Sequence, residues 1–155
     1  MVSVSFRRAE YRDVPKLVEI EERCFGRSEA YGSSQLSALL RCAFLFEVAE
    51  VEGEVVGYAV GLLEEGRLAH LISVAVDPAH RRRGIGRALV RRFIDEAERS
   101  GAEIAYLEVS ERNRAAMSLY SSLGFEVVGK IPKYYSDGSD AYVMALSLRR
   151  GEPER

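Results

Sequence analysis

The chain has 155 residues, about the length of one average domain, and its 47% hydrophobic and 30% charged content is that of a folded globular protein rather than a disordered or collagen-like one. A formal net charge of −2 offers no bulk attraction to nucleic acid, so basic residues matter only where they cluster, at Arg81, Arg82, Arg83 and Arg87. The longest nearly uncharged run, Val55 to Leu63, falls well short of the ~20 apolar residues of a membrane span, and Met1 to Arg7 lack the apolar core of a signal peptide, so no membrane and a cytoplasmic location are expected.

Alternation at Val2, Val4 and Phe6 predicts a first strand. Asp13 then reads as the cap of a helix whose apolar positions Val14, Leu17, Val18, Cys24 and Phe25 follow helical spacing. A small polar loop spans Gly26 to Ser34, and Leu36, Leu39 and Leu40 predict a short helix ending near Cys42. Phe44 to Val51 and Val55 to Leu63 form a hairpin about Glu52-Gly53-Glu54, and after a turn at Glu64-Glu65-Gly66 a further strand runs from Leu68 to Val76, where Asp77-Pro78 ends it. From Ile85 to Ser100 the residues Ile85, Leu89, Phe93 and Ala97 recur every four, with Gly101 as the stop. Ile104 to Val109 is a strand, Asn113 to Leu123 a helix closed by Gly124, and Phe125 to Lys130 and Tyr142 to Leu148 are the last strands. The expectation is one mixed α/β domain over 1–150 with helices on both faces of the sheet, and a disordered tail over 151–155. Cys24 and Cys42 match no metal spacing and are too few for a disulfide scaffold, so two buried thiols are expected.

The chemistry concentrates where the Val74-Ala75-Val76 strand end passes through Arg81-Arg82-Arg83-Gly84-Ile85-Gly86-Arg87 into a helix. Amides at a helix start lack intrahelical partners, glycines admit close approach, and guanidinium groups add positive charge, which together suit a pyrophosphate. The turn is neither a Walker loop, since no Gly-Lys-Ser/Thr follows, nor the dinucleotide Gly-x-Gly-x-x-Gly, since no third glycine is present. Taken alone it reads equally as a glycine-eased helix start with solvated arginines.

Two further segments accompany it: Leu107-Glu108-Val109 followed by Asn113, Ala116, Leu119-Tyr120 and Leu123-Gly124-Phe125, and then Tyr134-Tyr135-Ser136-Asp137-Gly138-Ser139-Asp140-Ala141. In this order and at these separations they resemble the GNAT superfamily of acetyl-CoA-dependent N-acetyltransferases, from Val4 to Leu148. Within it they are most similar to the protein N-terminal (Nα) acetyltransferases, of the archaeal and eukaryotic Ard1 kind and the bacterial ribosomal-protein alanine acetyltransferase. The resemblance implies a GNAT fold: a mostly antiparallel sheet of about seven strands with one splayed parallel pair and about four helices. It also implies acetyl-CoA as co-substrate, with its pantetheine arm paired to the backbone of Val74, Ala75 and Val76. Its pyrophosphate would lie on Arg82, Arg83, Gly84, Ile85, Gly86 and Arg87, and Asn113 and Tyr120 would complete the coenzyme contacts.

The reaction so implied is attack of an amine on a thioester. A peptide α-amine with a pKa near 7.8 is about one quarter neutral near pH 7.4, whereas a lysine is about one part in a thousand neutral, so Nα transfer needs only a modest base. By the same resemblance Glu108, or Glu29 in a loop similar to the Pro-Glu-x-Tyr of Ard1-like enzymes, would be that base, directly or through water and His70, and Tyr120 the acid at the departing thiolate. Ser28 stands where that loop has proline. Tyr31, His70, Tyr134 and Tyr135, with Glu29, would contact the acceptor. On the residues alone, Glu108 also reads as a solvated strand carboxylate, Glu29 as a solvated loop acid, His70 as a satisfied strand histidine, Asn113 as a plain helix cap, Tyr120 as a core tyrosine and Tyr134-Tyr135 as loop anchors. Expected partners are N-terminal peptides of proteins, ribosomal or nascent chains among them, with no nucleic acid and no metal, and a monomer or weak dimer. The alternatives are a lysine or small-amine N-acetyltransferase of the same fold, or a non-catalytic acyl-CoA sensor.

Overall fold

The computed structural model describes residues 3–148. Among them are seven strands and four α-helices: β1 (Val4–Arg8), α1 (Val14–Phe25), α2 (Ser33–Cys42), β2 (Leu45–Val51), β3 (Glu54–Glu64), β4 (Leu68–Val76), α3 (Ile85–Arg99), β5 (Ile104–Ser110), α4 (Arg114–Ser122), β6 (Glu126–Ile131) and β7 (Ala141–Ser147). Short 3-10 turns lie at Tyr11–Asp13 and Pro78–His80. The strand order is β1-β2-β3-β4-β5-β7-β6. The pairs β1–β2, β2–β3, β5–β7 and β6–β7 are antiparallel, and β4–β5 is parallel. The mixed, mostly antiparallel sheet with one parallel pair that the resemblance implied is what forms. The parallel register sets Leu68, Ala69 and His70 opposite Ile104, Ala105 and Tyr106, three of the nine residues of β4. Among the described residues no helix is long and apolar enough to cross a membrane.

By its contacts the chain divides into two compact units: residues up to Leu62 with Leu71–Phe93, and Leu63–His70 with residues from Ile94 onward. In the first, Leu17 and Ile20 of α1 and Leu36 and Leu40 of α2 bury against Phe46 and Val48 of β2 and Tyr58 and Val60 of β3. A Cβ on neighbouring Gly61 would lie 2.6 Å from the Phe93 ring of α3. Because successive strand residues face opposite ways, α1 and α2 cover one face of this part of the sheet and α3 the other. Gly57 has a different purpose: a Cβ there would sit 2.8 Å from the Ala75 carbonyl oxygen, so only glycine lets β3 run this close to the end of β4. In the second unit, Leu107 and Val109 of β5, Met144 of β7, Tyr120, Leu123 and Phe125 are buried, and Tyr120 meets Phe125 edge-on at 6.0 Å between ring centroids.

Several local readings need correction. Asp13 precedes α1 but makes no side-chain cap. Its carboxylate accepts both Nη atoms of Arg7 at 2.8 and 2.9 Å and the Glu10 N–H at 2.8 Å, which closes the preceding 3-10 turn. Both thiols are free, yet only Cys24 is partly buried, and Cys42 is exposed. Two residues along a helix turn the side chain by about 200°, so Cys42 points away from the face that buries Leu40. Strand β2 begins at Leu45 rather than Phe44, β3 continues to Glu64, and the last strand starts at Ala141. The Val2 position of the first strand and the tail at 151–155 lie outside the described residues.

Candidate active site

Strand alternation builds the first part of the site. Along β5, Ala105, Leu107 and Val109 are buried while Tyr106, Glu108 and Ser110 share the opposite, half-exposed face. His70 lies opposite Tyr106 in the parallel register, and their rings stack at 4.2 Å with 11° between planes. His70 Nε2 is 2.8 Å from Glu108 Oε1 and Nδ1 is 3.2 Å from Glu64 Oε2, while the Tyr106 hydroxyl donates to Glu64 Oε1 at 2.7 Å. A neutral imidazole has one N–H to donate, so carboxylates at both nitrogens favour the doubly protonated ring. Burial pulls the imidazole toward its neutral form, but the hydrogen bonds and charges of Glu108 and Glu64 outweigh it and hold the ring above its ordinary 6.5. The side chains of His70 and Glu108 keep 16% and 19% of their surface exposed, so the pair is reachable from solvent.

On the same unit, Asn113 caps α4 by accepting the Ala116 N–H on its side-chain oxygen at 3.1 Å. Tyr120, near the other end of α4, is 7% exposed, and burial pushes its hydroxyl above the ordinary tyrosine value, so it carries its proton at neutral pH. The tyrosine loop is stapled by its own acids. Asp137 Oδ1 accepts the Ser139 N–H and hydroxyl at 2.8 and 2.6 Å, and the Asp140 N–H donates to Glu111 at 2.9 Å while the Asp140 carboxylate accepts the Lys133 N–H at 2.9 Å. Tyr134 and Tyr135 stand edge-to-face at 4.9 Å, with Tyr134 49% exposed.

The first unit carries the glycine turn. Arg82 and Gly84 both adopt left-handed φ, +66° and +80°, immediately before Ile85 opens α3. They stand just ahead of the α3 N-terminus, whose first N–H groups lack intrahelical partners and favour an anion. Arg82, Arg83, Gly84 and Arg87 are exposed, Gly86 is half-exposed, and Ile85 is buried to anchor the helix start. Upstream, Val74, Ala75 and Val76 end β4, but the Val76 carbonyl, one of the groups expected to pair with the pantetheine arm, already accepts from Cys24 Sγ at 3.3 Å and from Arg81 Nε at 3.1 Å. Arg81 thus serves the strand end, and its Nη2 also donates to Cys24 at 3.3 Å.

Glu29 and Tyr31 lie half-buried between α1 and α2. Periodicity gave no sign of what holds this loop: Glu21 of α1, fully buried, accepts the Tyr31 N–H on Oε1 at 3.0 Å. Glu21 Oε2 accepts the hydroxyls of Tyr58 and of Ser73, the latter at 2.8 Å. Of the residues expected at the site, the structure brings His70 onto Glu108, pairs Tyr134 with Tyr135, and gathers Arg82 to Arg87 on one turn. It adds Glu64 and Tyr106, which the sequence placed in a turn and along a strand. Among the described residues no cluster of His, Cys, Asp and Glu side chains could hold a metal ion.

Comparison with known proteins bears on this arrangement. An N-alpha-acetyltransferase of Sulfurisphaera tokodaii is 36% identical over 154 residues, covering 92% of this chain and 92% of that protein. The crystal structure of the ribosomal-protein-S18-alanine N-acetyltransferase from Escherichia coli superposes with a TM-score of 0.87 at 31% identity, covering 99% of each chain. That of yncA from Salmonella typhimurium, solved with its cofactor acetyl-CoA, superposes with a TM-score of 0.83 at 26% identity, covering 99% of this chain and 98% of that one. The Acetyltransferase (GNAT) family model matches residues 14–125, and this chain belongs to that family.

Proposed function

We propose that this acetyltransferase moves the acetyl group of acetyl-CoA onto the α-amine of protein N-termini by direct attack, without an acetylated enzyme. The observation that carries the reading is the solvent-reachable Glu108–His70 pair at 2.8 Å, a carboxylate held in place by a ring that faces a second carboxylate, Glu64, at its other nitrogen. The names of the relatives, which act on N-terminal amines, point the same way. Acetyl-CoA, when bound, supplies an activated acyl carbon.

The chain's residues would divide the remaining work. The amides of the Arg82–Arg87 turn and the α3 N-terminus receive the diphosphate, and the β4 backbone from Val74 to Val76, with Asn113, receives the pantetheine amides. The left-handed φ of Arg82 and Gly84 fits that assignment. As the N–C bond forms and the C–S bond breaks, Glu108 takes the amine proton, directly or through a water. Tyr120, kept protonated by burial, donates to the leaving sulfur. His70 serves Glu108 rather than the amine directly, since both its nitrogens already face carboxylates. Tyr31, Glu29, Tyr134 and Tyr135 are the residues that the resemblance offers for the acceptor peptide. One acetyltransferase domain over 1–150 remains our reading, because the family match at 14–125 runs through both compact units.

The test is a competition. Peptides carrying a free α-amine and an internal lysine are incubated with acetyl-CoA, and fragmentation mass spectrometry locates the added acetyl group. Modification of the α-amine alone is expected. Exclusive lysine modification overturns the acceptor assignment, and coenzyme binding without thiol release marks a sensor.

A further inference from the structure

We infer that Glu64, the last residue of β3, is a positioning residue of the acetyl-transfer site, fixing His70 through Nδ1 so that Nε2 stays on Glu108. The inference rests on the function proposed above. Its geometry is a chain of contacts: the Tyr106 hydroxyl donates to Glu64 Oε1 at 2.7 Å, Glu64 Oε2 meets His70 Nδ1 at 3.2 Å, and His70 Nε2 meets Glu108 Oε1 at 2.8 Å. The stacked Tyr106 ring closes one face of the imidazole at 4.2 Å.

Each contact removes a freedom the reaction cannot tolerate. An imidazole held at only one nitrogen can flip about its Cβ–Cγ bond and exchange the nitrogen it presents. Held at both, and stacked, it presents Nε2 to Glu108 at every turnover. The second carboxylate also decides the charge of the ring. With Glu108 alone, a neutral His70 donating Nε2–H would satisfy the pair; with Glu64 at Nδ1, the second nitrogen needs a proton too. Glu64 therefore favours the cationic form of His70 while Glu108 remains the proton acceptor. The titratable groups facing His70 are Glu64 from β3 and Tyr106 and Glu108 from β5, with Tyr134 next beyond Tyr106. Glu64 side-chain exposure of 37% explains how it can be exchanged without opening the core.

An anion beside the imidazole raises its pKa, so replacing Glu64 by Gln, which retains shape and hydrogen bonding, must lower it. Histidine Cε1–H titration by NMR on ligand-free wild type and Glu64→Gln, with His80→Gln to assign the signals, is expected to show the His70 midpoint falling by about one pH unit. The inflection of kcat against pH belonging to His70 should move down with it. Glu65→Gln, which removes the same charge from the neighbouring turn residue, should leave both where they are.

Glu64→Asp, which keeps the charge but is too short to span the contact, should place the midpoint between those of wild type and Glu64→Gln. An unmoved midpoint and an unmoved profile in folded, active Glu64→Gln overturn the role of Glu64 while wild-type turnover upholds the proposed function. A wild type that acetylates no amine overturns both.

Discussion

Replacing Glu108 with Gln is expected to lower kcat for N-terminal peptides by about 10²–10⁴-fold, the usual contribution of a positioned general base, with acetyl-CoA affinity unchanged. Glutamine is close in shape, and its carbonyl oxygen still accepts from the His70 Nε2–H that lies 2.8 Å from Glu108 Oε1. What it loses is the capacity to take a proton. A purely structural carboxylate would behave in the opposite way, leaving kcat near its starting value and lowering the unfolding midpoint. Steady-state thiol release for wild type and variant, together with calorimetric binding of acetyl-CoA, separates the two. An unchanged kcat would move the base elsewhere, with Glu29 the next carboxylate to replace.

The second large effect is on stability. Glu21 is fully buried, and its carboxylate satisfies the Tyr58 hydroxyl, the Ser73 hydroxyl and the Tyr31 backbone N–H. Glu21→Ala strands all three in the core of the first unit, where each buried unsatisfied group costs about 1–3 kcal/mol. The expected loss is on the order of 3 kcal/mol or more, read as a fall in the urea midpoint with little change in m. Glu21→Gln keeps an oxygen for two of these donors and should lose less. Because Tyr31 belongs to the loop assigned to the acceptor, any folded Glu21→Ala protein should also show a raised KM for peptide with the KM for acetyl-CoA unaltered. A variant as stable as wild type would mean that water replaces the carboxylate.

Elements whose signal is local were legible in the sequence. The four-residue recurrence from Ile85 through Ala97 located α3, the Asn113 cap located α4, and the proline after Asp77 ended β4 at the residue observed. Pairing was not legible. Nothing in its own residues says that β7 inserts between β5 and β6, because that order is set by contacts distant along the chain. The same holds for side-chain chemistry. Asp13 has a cap's identity and position, but Arg7, brought close by the fold, claims its carboxylate instead. Glu64 sits in a Glu-Glu-Gly sequence that reads as a turn, and only the extra length of β3 carries it to His70. Glu21 is one of several acids on α1, and helical spacing marks its face without naming its three partners.

The resemblance supplied what periodicity could not: it named His70 and Glu108, 38 residues apart, together, and the two side chains meet at 2.8 Å. The geometry in turn amends its detail, since the Val76 carbonyl already has Arg81 and Cys24 as partners.

A crystal structure of the chain grown with acetyl-CoA tests the account most directly. The account predicts the diphosphate seated on the amides from Arg82 to Arg87, and the pantetheine amides bonded to the β4 backbone beside Val74 and Ala75. Density for the coenzyme elsewhere, with the turn bare and the β4 main chain unpaired by it, would contradict the account.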